Sequence, residues 1–128
     1  MVRSIHHINF VVRDLAVAIP AWERILGRSC DSRDRLDGRG VDIARFQLDD
    51  AWIVLVQPTG SGAPADFLAA NGEGFFMLSL GVDSLDDEIA RLGESMLDGL
   101  SRAGLDDWVV QDLDIGQTVG AQLQYTED

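Results

Sequence analysis

A chain of 128 residues with 46% hydrophobic content suits one compact domain with a sizeable core. Its formal net charge of −12 and pI near 4.3 argue against nucleic acid and anionic membrane surfaces, which need lysine and arginine to replace released counterions. A lone cysteine, Cys30, excludes an internal disulfide and a cysteine metal cluster, and a nucleophilic role for it would need a neighbouring base that the sequence does not show.

The acidic residues are spread rather than clustered, as on a solvated surface. There is no charged segment leading into an apolar leader, and no apolar run approaches the ~20 residues of a membrane span. The expectation is a cytoplasmic protein that binds neither nucleic acid nor membrane.

In chain order, residues 5–12 alternate, with Ile8, Phe10 and Val12 on one parity and His7 and Asn9 on the other, the pattern of a half-buried strand. Asp14 can then accept from free backbone N–H groups. Leu15, Ile19, Trp22 and Leu26 follow at helical spacing up to Gly27, predicting a capped helix over 15–26. Pro20 lies past the first turn, where it costs about 3 kcal/mol, and predicts a kink or a late start to the regular helix.

Residues 29–40 are polar and close with Gly38 and Gly40, reading as a short strand or loop and a turn. Residues 41–48 and 51–57 read as a hairpin about Asp49 and Asp50, ended by Pro58. Residues 59–74 are rich in small turn formers around the brief apolar piece 66–70, predicting a linker with one helical turn. A strand over 75–82, a helix over 84–92 with Ser84 and Asp87 in a capping-box-like arrangement, an irregular stretch through Gly104, and strands near 108–113 and 119–125 complete the chain.

The second half repeats the first. A constant step of seventy residues sets Ile8 on Leu78, Phe10 on Leu80, Val12 on Val82, Asp14 on Ser84, Leu15 on Leu85 and Ile19 on Ile89, and it also sets residues 52–55 on 122–125. A module of this length cannot bury both faces of its sheet alone, so two copies pair, with a cleft at or near the pseudo-twofold axis. The predicted fold class is α+β in a single domain: module one over 1–58, a linker over 59–73 and module two over 74–128.

The run Ile5-His6-His7-Ile8-Asn9-Phe10-Val11-Val12-Arg13-Asp14-Leu15, closed by Leu26-Gly27, resembles the opening of the vicinal oxygen chelate superfamily, which includes glyoxalase I, bleomycin-resistance proteins, extradiol dioxygenases and methylmalonyl-CoA epimerase. Phe67-Leu68, Gly72-Glu73-Gly74 and Val82-Asp83 are most similar in pattern to the epimerases. The resemblance spans essentially the whole chain. It implies two tandem βαβββ modules forming a curved sheet around a central cleft, a homodimer, and a divalent ion held by four side chains from the first and last strands of each module. Those four positions fall on His7, Val54, Met77 and Gln124.

Here the chain departs from that pattern. Val54 has no donor, the Met77 thioether suits hard ions poorly, and His7 with Gln124 offers two neutral atoms. The expectation is no metal and no other cofactor. By strand parity the cleft is lined by His7, Asn9, Trp52, Val54, Val56, Met77, Ser79, Gln122 and Gln124, a mostly apolar wall with neutral hydrogen-bonding groups.

His7 is the group there that can take a proton near neutrality, either as a general base or as a hydrogen-bonding partner of a substrate carbonyl, with Gln124 opposite to orient it. Asn9, Trp52, Val54, Met77, Ser79 and Gln122 are the candidate ligand contacts, Trp52 by stacking on a planar ligand. His6 reads as structural or surface. Three functions stay open: a metal-independent lyase or isomerase acting on a small organic molecule, a metal-dependent lactoylglutathione lyase or methylmalonyl-CoA epimerase, and a non-catalytic sequestering protein. The scarcity of basic residues weighs against coenzyme A thioesters, whose phosphates favour lysine or arginine.

Overall fold

The computed structural model describes residues 1–128 and holds eight strands and three α-helices. They are β1 (Val2–Val11), α1 (Leu15–Leu26), β2 (Ser32–Leu36), β3 (Val41–Gln47), β4 (Trp52–Pro58), α2 (Ala63–Asn71), β5 (Gly74–Val82), α3 (Leu85–Leu92), β6 (Leu97–Ala103), β7 (Val109–Leu113) and β8 (Leu123–Glu127). This is the α+β class, with the element order βαβββ stated twice around α2. The strands hydrogen-bond in the order β2-β3-β4-β1-β5-β8-β7-β6. No helix is long and apolar enough to cross a membrane.

The chain groups into two compact units, Ile8–Phe76 on the one hand and Met1–His7 with Met77–Asp128 on the other. In the first, Asp14 takes an extended backbone and its carboxylate accepts from Ala16 N at 2.9 Å, while Gly27 closes α1 in the left-handed region at φ 68°. The apolar stripe of α1 packs on the sheet: Leu15, with Ile19, Trp22 and Leu26, meets Val12, Ala44, Phe46, Ile53 and Leu55. Each fully buried side chain of this size contributes about 1.5–3 kcal/mol.

The second unit repeats the device. Ser84 Oγ accepts from Asp87 N at 3.2 Å, and Leu85, Ile89 and Leu92 pack with Leu80, Val82, Leu97, Leu113, Leu123 and Tyr125. The last strand of each module caps its own helix. Leu15 N donates to Gln57 Oε1 at 2.8 Å, and Leu85 N donates to Glu127 Oε1 at 2.7 Å. Each donor and each acceptor lies seventy residues from its counterpart, so the repeat extends to the helix caps.

Several local expectations are corrected. Helix α1 does not start late: it runs from Leu15 with Pro20 inside it, because the side-chain cap and the buried apolar stripe outweigh the one hydrogen bond that proline cannot give. The linker holds a nine-residue helix, started by a proline in its first turn and favoured by its alanines. The stretch read as irregular contains β6, paired antiparallel with β7 through a register shift between Asp98 and Arg102. Strand β8 starts at Leu123 rather than at 119, because Val119 takes φ 51° in a turn held by Thr118 and Asp114.

On the hairpin of the first unit, Arg35 Nε and Nη2 donate to the two carboxylate oxygens of Asp42 at 2.8 and 3.1 Å. This pairing holds the Asp42 carboxyl below its ordinary range. A lowered native value means that the pair stabilises the fold above the unfolded carboxylate's value, about 3.9, and that the contribution is lost as pH falls through the native value. Urea midpoints of the wild type and Asp42→Asn are therefore expected to differ modestly at neutral pH, since Arg35 is largely exposed, and to converge in acid. A gap that does not change with pH contradicts this assignment.

Candidate functional site

In the unit formed by Met1–His7 and Met77–Asp128, strand register places Ser79 beside Gln124 and Gln124 beside Asp112, a row crossing β5, β8 and β7. The residues that alternate with them, Leu80, Tyr125 and Leu113, pack in the cluster with the α3 side chains. The polar row therefore faces away from α3.

Gln124 is 3% exposed and its carboxamide is oriented by its neighbours. Its Nε2 donates to Asp112 Oδ1 at 2.9 Å, and Arg102 Nη1 donates to Asp112 Oδ2 at 2.6 Å. An ionised carboxylate only accepts, so the amide nitrogen must face Asp112 and the amide oxygen must point elsewhere. That oxygen, Oε1, is buried with no hydrogen-bond partner. Leaving such an acceptor unpaired costs about 1–3 kcal/mol.

His7 is 4% exposed and stacks on Trp108, with ring centroids 4.9 Å apart and planes 16° from parallel. His6 meets the same indole edge-on at 4.6 Å. The two histidines approach through their Nδ1 atoms at 2.9 Å, and His6 Nε2 lies 3.0 Å from Asp128 Oδ2. His6 is thus structural rather than a free surface residue, tied to His7, Trp108 and Asp128.

The carboxylate of Asp128 requires a proton on His6 Nε2. With a neutral His6, Nδ1 accepts and His7 donates through its own Nδ1, leaving Nε2 as the unprotonated ring nitrogen; with a doubly protonated His6 the roles reverse. With His6 neutral, nitrogen-15 NMR of the chain's two imidazoles is expected to show pyrrole-type Nδ1 and pyridine-type Nε2 for His7, with Asp128→Ala mixing the tautomers. A His7 protonated on Nε2 alone contradicts the relay.

Met77 is buried, Ser79 Oγ is 2.6 Å from Thr126 Oγ1, and Gln122 sits just ahead of β8, its carbonyl accepting from Leu78 N at 3.1 Å. In the unit Ile8–Phe76, Asn9 is buried and its Oδ1 has no hydrogen-bond partner. Val54 is buried opposite Arg45 in register, and Trp52 lies at the strand start with the Arg45 guanidinium 4.8 Å from its ring centroid. Arg45 is itself buried, its Nε donating to Ser32 Oγ at 3.0 Å, with Asp34 Oδ2 3.8 Å from Nη2.

A wall of neutral groups therefore needs correction on this hairpin, where a buried cation shares the face of Val54. The parity of β3, with Val41, Ile43 and Arg45 alternating, carried that signal. Cys30 is not a nucleophile candidate: burial pushes its thiol up, and Sγ lies within hydrogen-bonding distance of the carbonyls of Ser32 and Arg45. No three His, Cys, Asp or Glu side chains gather in a group able to hold a metal ion.

A family model described as the glyoxalase/bleomycin resistance protein/dioxygenase superfamily matches residues 6–110. Among solved structures, Streptomyces coelicolor methylmalonyl-CoA epimerase in complex with 2-nitronate-propionyl-CoA is similar with a TM-score of 0.92 at 20% identity, covering 100% of this chain and 96% of that one. Methylmalonyl-CoA epimerase from Mycobacterium tuberculosis is similar at 0.88 and 24% identity, covering 98% and 88%. A hypothetical protein, BH1468 from Bacillus halodurans, is similar at 0.89 and 22% identity, covering 98% and 94%. No curated relative matches the chain. The matched span, most of the chain's length, places the protein in the glyoxalase/bleomycin resistance protein/dioxygenase superfamily, the vicinal oxygen chelate group.

Proposed function

We propose that this chain binds a small organic molecule and moves a proton on it, with His7 as the acid–base group and without a divalent ion. The observation that carries this reading is the donor chemistry at positions 7, 77 and 124 of one unit. There an imidazole already engages His6, a thioether is buried, and a carboxamide is held by Asp112. Hard divalent ions favour oxygen donors with negative charge, which this set lacks, and position 54 holds a valine. The remaining groups suit proton transfer. His7 Nε2 takes a proton from a carbon beside a carbonyl, the C–H electron pair enters the carbonyl as an enolate, and the imidazolium returns the proton to the same or the neighbouring atom.

A second reading, metal-dependent epimerisation of a coenzyme A thioester, is favoured by the ligands of similar structures: 2-nitronate-propionyl-CoA in the Streptomyces coelicolor epimerase and methylmalonyl-CoA with NH4+ in a methylmalonyl-CoA epimerase. Deuterium wash-in separates the readings. Chelator-treated protein in D2O is expected to accelerate exchange at the carbons beside the carbonyl of hydroxyacetone. Exchange that appears only after a divalent ion is added, or only with methylmalonyl-CoA, favours the second reading. Binding with no exchange on any probe leaves sequestration.

A further inference from the structure

We infer that the Arg102–Asp112–Gln124 chain makes this sheet face a receptor for a neutral hydrogen-bond donor on the ligand, an O–H or an N–H, and disfavours ligands that offer only carbonyl or ether oxygen there. The inference rests on the small-molecule reading above and names its ligand class. Gln124 alone could serve either role, since a carboxamide both donates and accepts. Asp112 fixes the orientation of the carboxamide by accepting one of its N–H groups at 2.9 Å, and Arg102, reaching in from β6, holds the other oxygen of Asp112 at 2.6 Å. The atom of Gln124 left buried and without a partner is the acceptor Oε1, which a substrate carbonyl, itself only an acceptor, cannot satisfy.

The neighbouring hydroxyls do not satisfy it. Ser79 Oγ is taken up with Thr126 Oγ1 and with the main-chain oxygen of Gln124 at 3.4 Å, leaving side-chain Oε1 buried and unpaired. A ligand donor placed there makes a hydrogen bond that the protein has prepared. Arg102 and Asp112 act here as positioning residues, since neither is required to touch the ligand.

The test is an NMR titration of nitrogen-15-labelled protein with hydroxyacetone and with its methyl ether, methoxyacetone, read at the Gln124 carboxamide and the Trp108 indole. Hydroxyacetone is expected to bind about tenfold more tightly. Gln124→Met, close in volume but without the amide, is expected to bring the ratio near one, and Asp112→Leu, which frees the amide to turn, to lower it. Equal affinities in the wild type, or a full preference surviving in either variant, overturn the inference while leaving the small-molecule reading intact. Failure of both probes to bind at millimolar concentration overturns both.

Discussion

Replacing His7 by glutamine is expected to slow deuterium exchange into hydroxyacetone by about 10²–10⁴-fold, the usual contribution of a positioned general base. Affinity should change little. The ring lies buried between His6 and Trp108, so its loss removes one acceptor from the ligand's surroundings but leaves the oriented Gln124 in place. The measurement therefore pairs the exchange rate with the dissociation constant. Loss of rate at retained affinity assigns proton transfer to His7. Parallel loss of both assigns it to binding, and retention of both removes it from the chemistry. A thermal melt of the variant keeps loss of fold separate from loss of function.

Phe46→Ala is expected to destabilise the fold by about 3–5 kcal/mol, the cost of removing a large ring and leaving a cavity that its neighbours fill only in part. Phe46 is 0% exposed and packs in the cluster with Leu15 and Leu55, where α1 meets β3 and β4. Val17→Ala, on the exposed side of the same helix, should stay within about 0.5 kcal/mol. Urea denaturation of the two variants checks the contrast. Similar losses in both would mean that the first unit is not held together by this cluster.

Much of the fold was legible because it depends on short-range chemistry. The strand alternation before Asp14, the helical spacing to Leu26 and the left-handed Gly27 are local, and the repeat set the second module in register with the first. Strand β6 was missed for an equally physical reason. Leu97–Ala103 is mostly exposed on both faces and is interrupted by Gly99 in the left-handed region at φ 70°, so no alternation marks it. The end of module two misled in another way: Val119 and Gly120 read as a strand start, but both take positive φ in a turn.

The burial of His7, Met77 and Gln124 was legible from strand parity, and the resemblance singled those positions out, but the states of their side chains were not legible. The orientation of Gln124 depends on Arg102, which lies on the strand that the sequence concealed. The tautomer of His7 depends on His6 and on Asp128, 122 residues further along the chain than His6. Such long-range polar pairs leave no periodic trace, because each needs only one residue from each element. Arg45 differs: its place opposite Val54 follows from the hairpin register.

The most direct test of a superfamily fold working without its usual ion is metal analysis of the purified protein, followed by calorimetric titration with magnesium, manganese, cobalt, nickel and zinc. The account predicts substoichiometric metal as isolated, no saturable binding at micromolar concentration, and imidazole signals of His7 that do not move on addition of any of these ions. One tightly held cation per chain that shifts the His7 signals would contradict it.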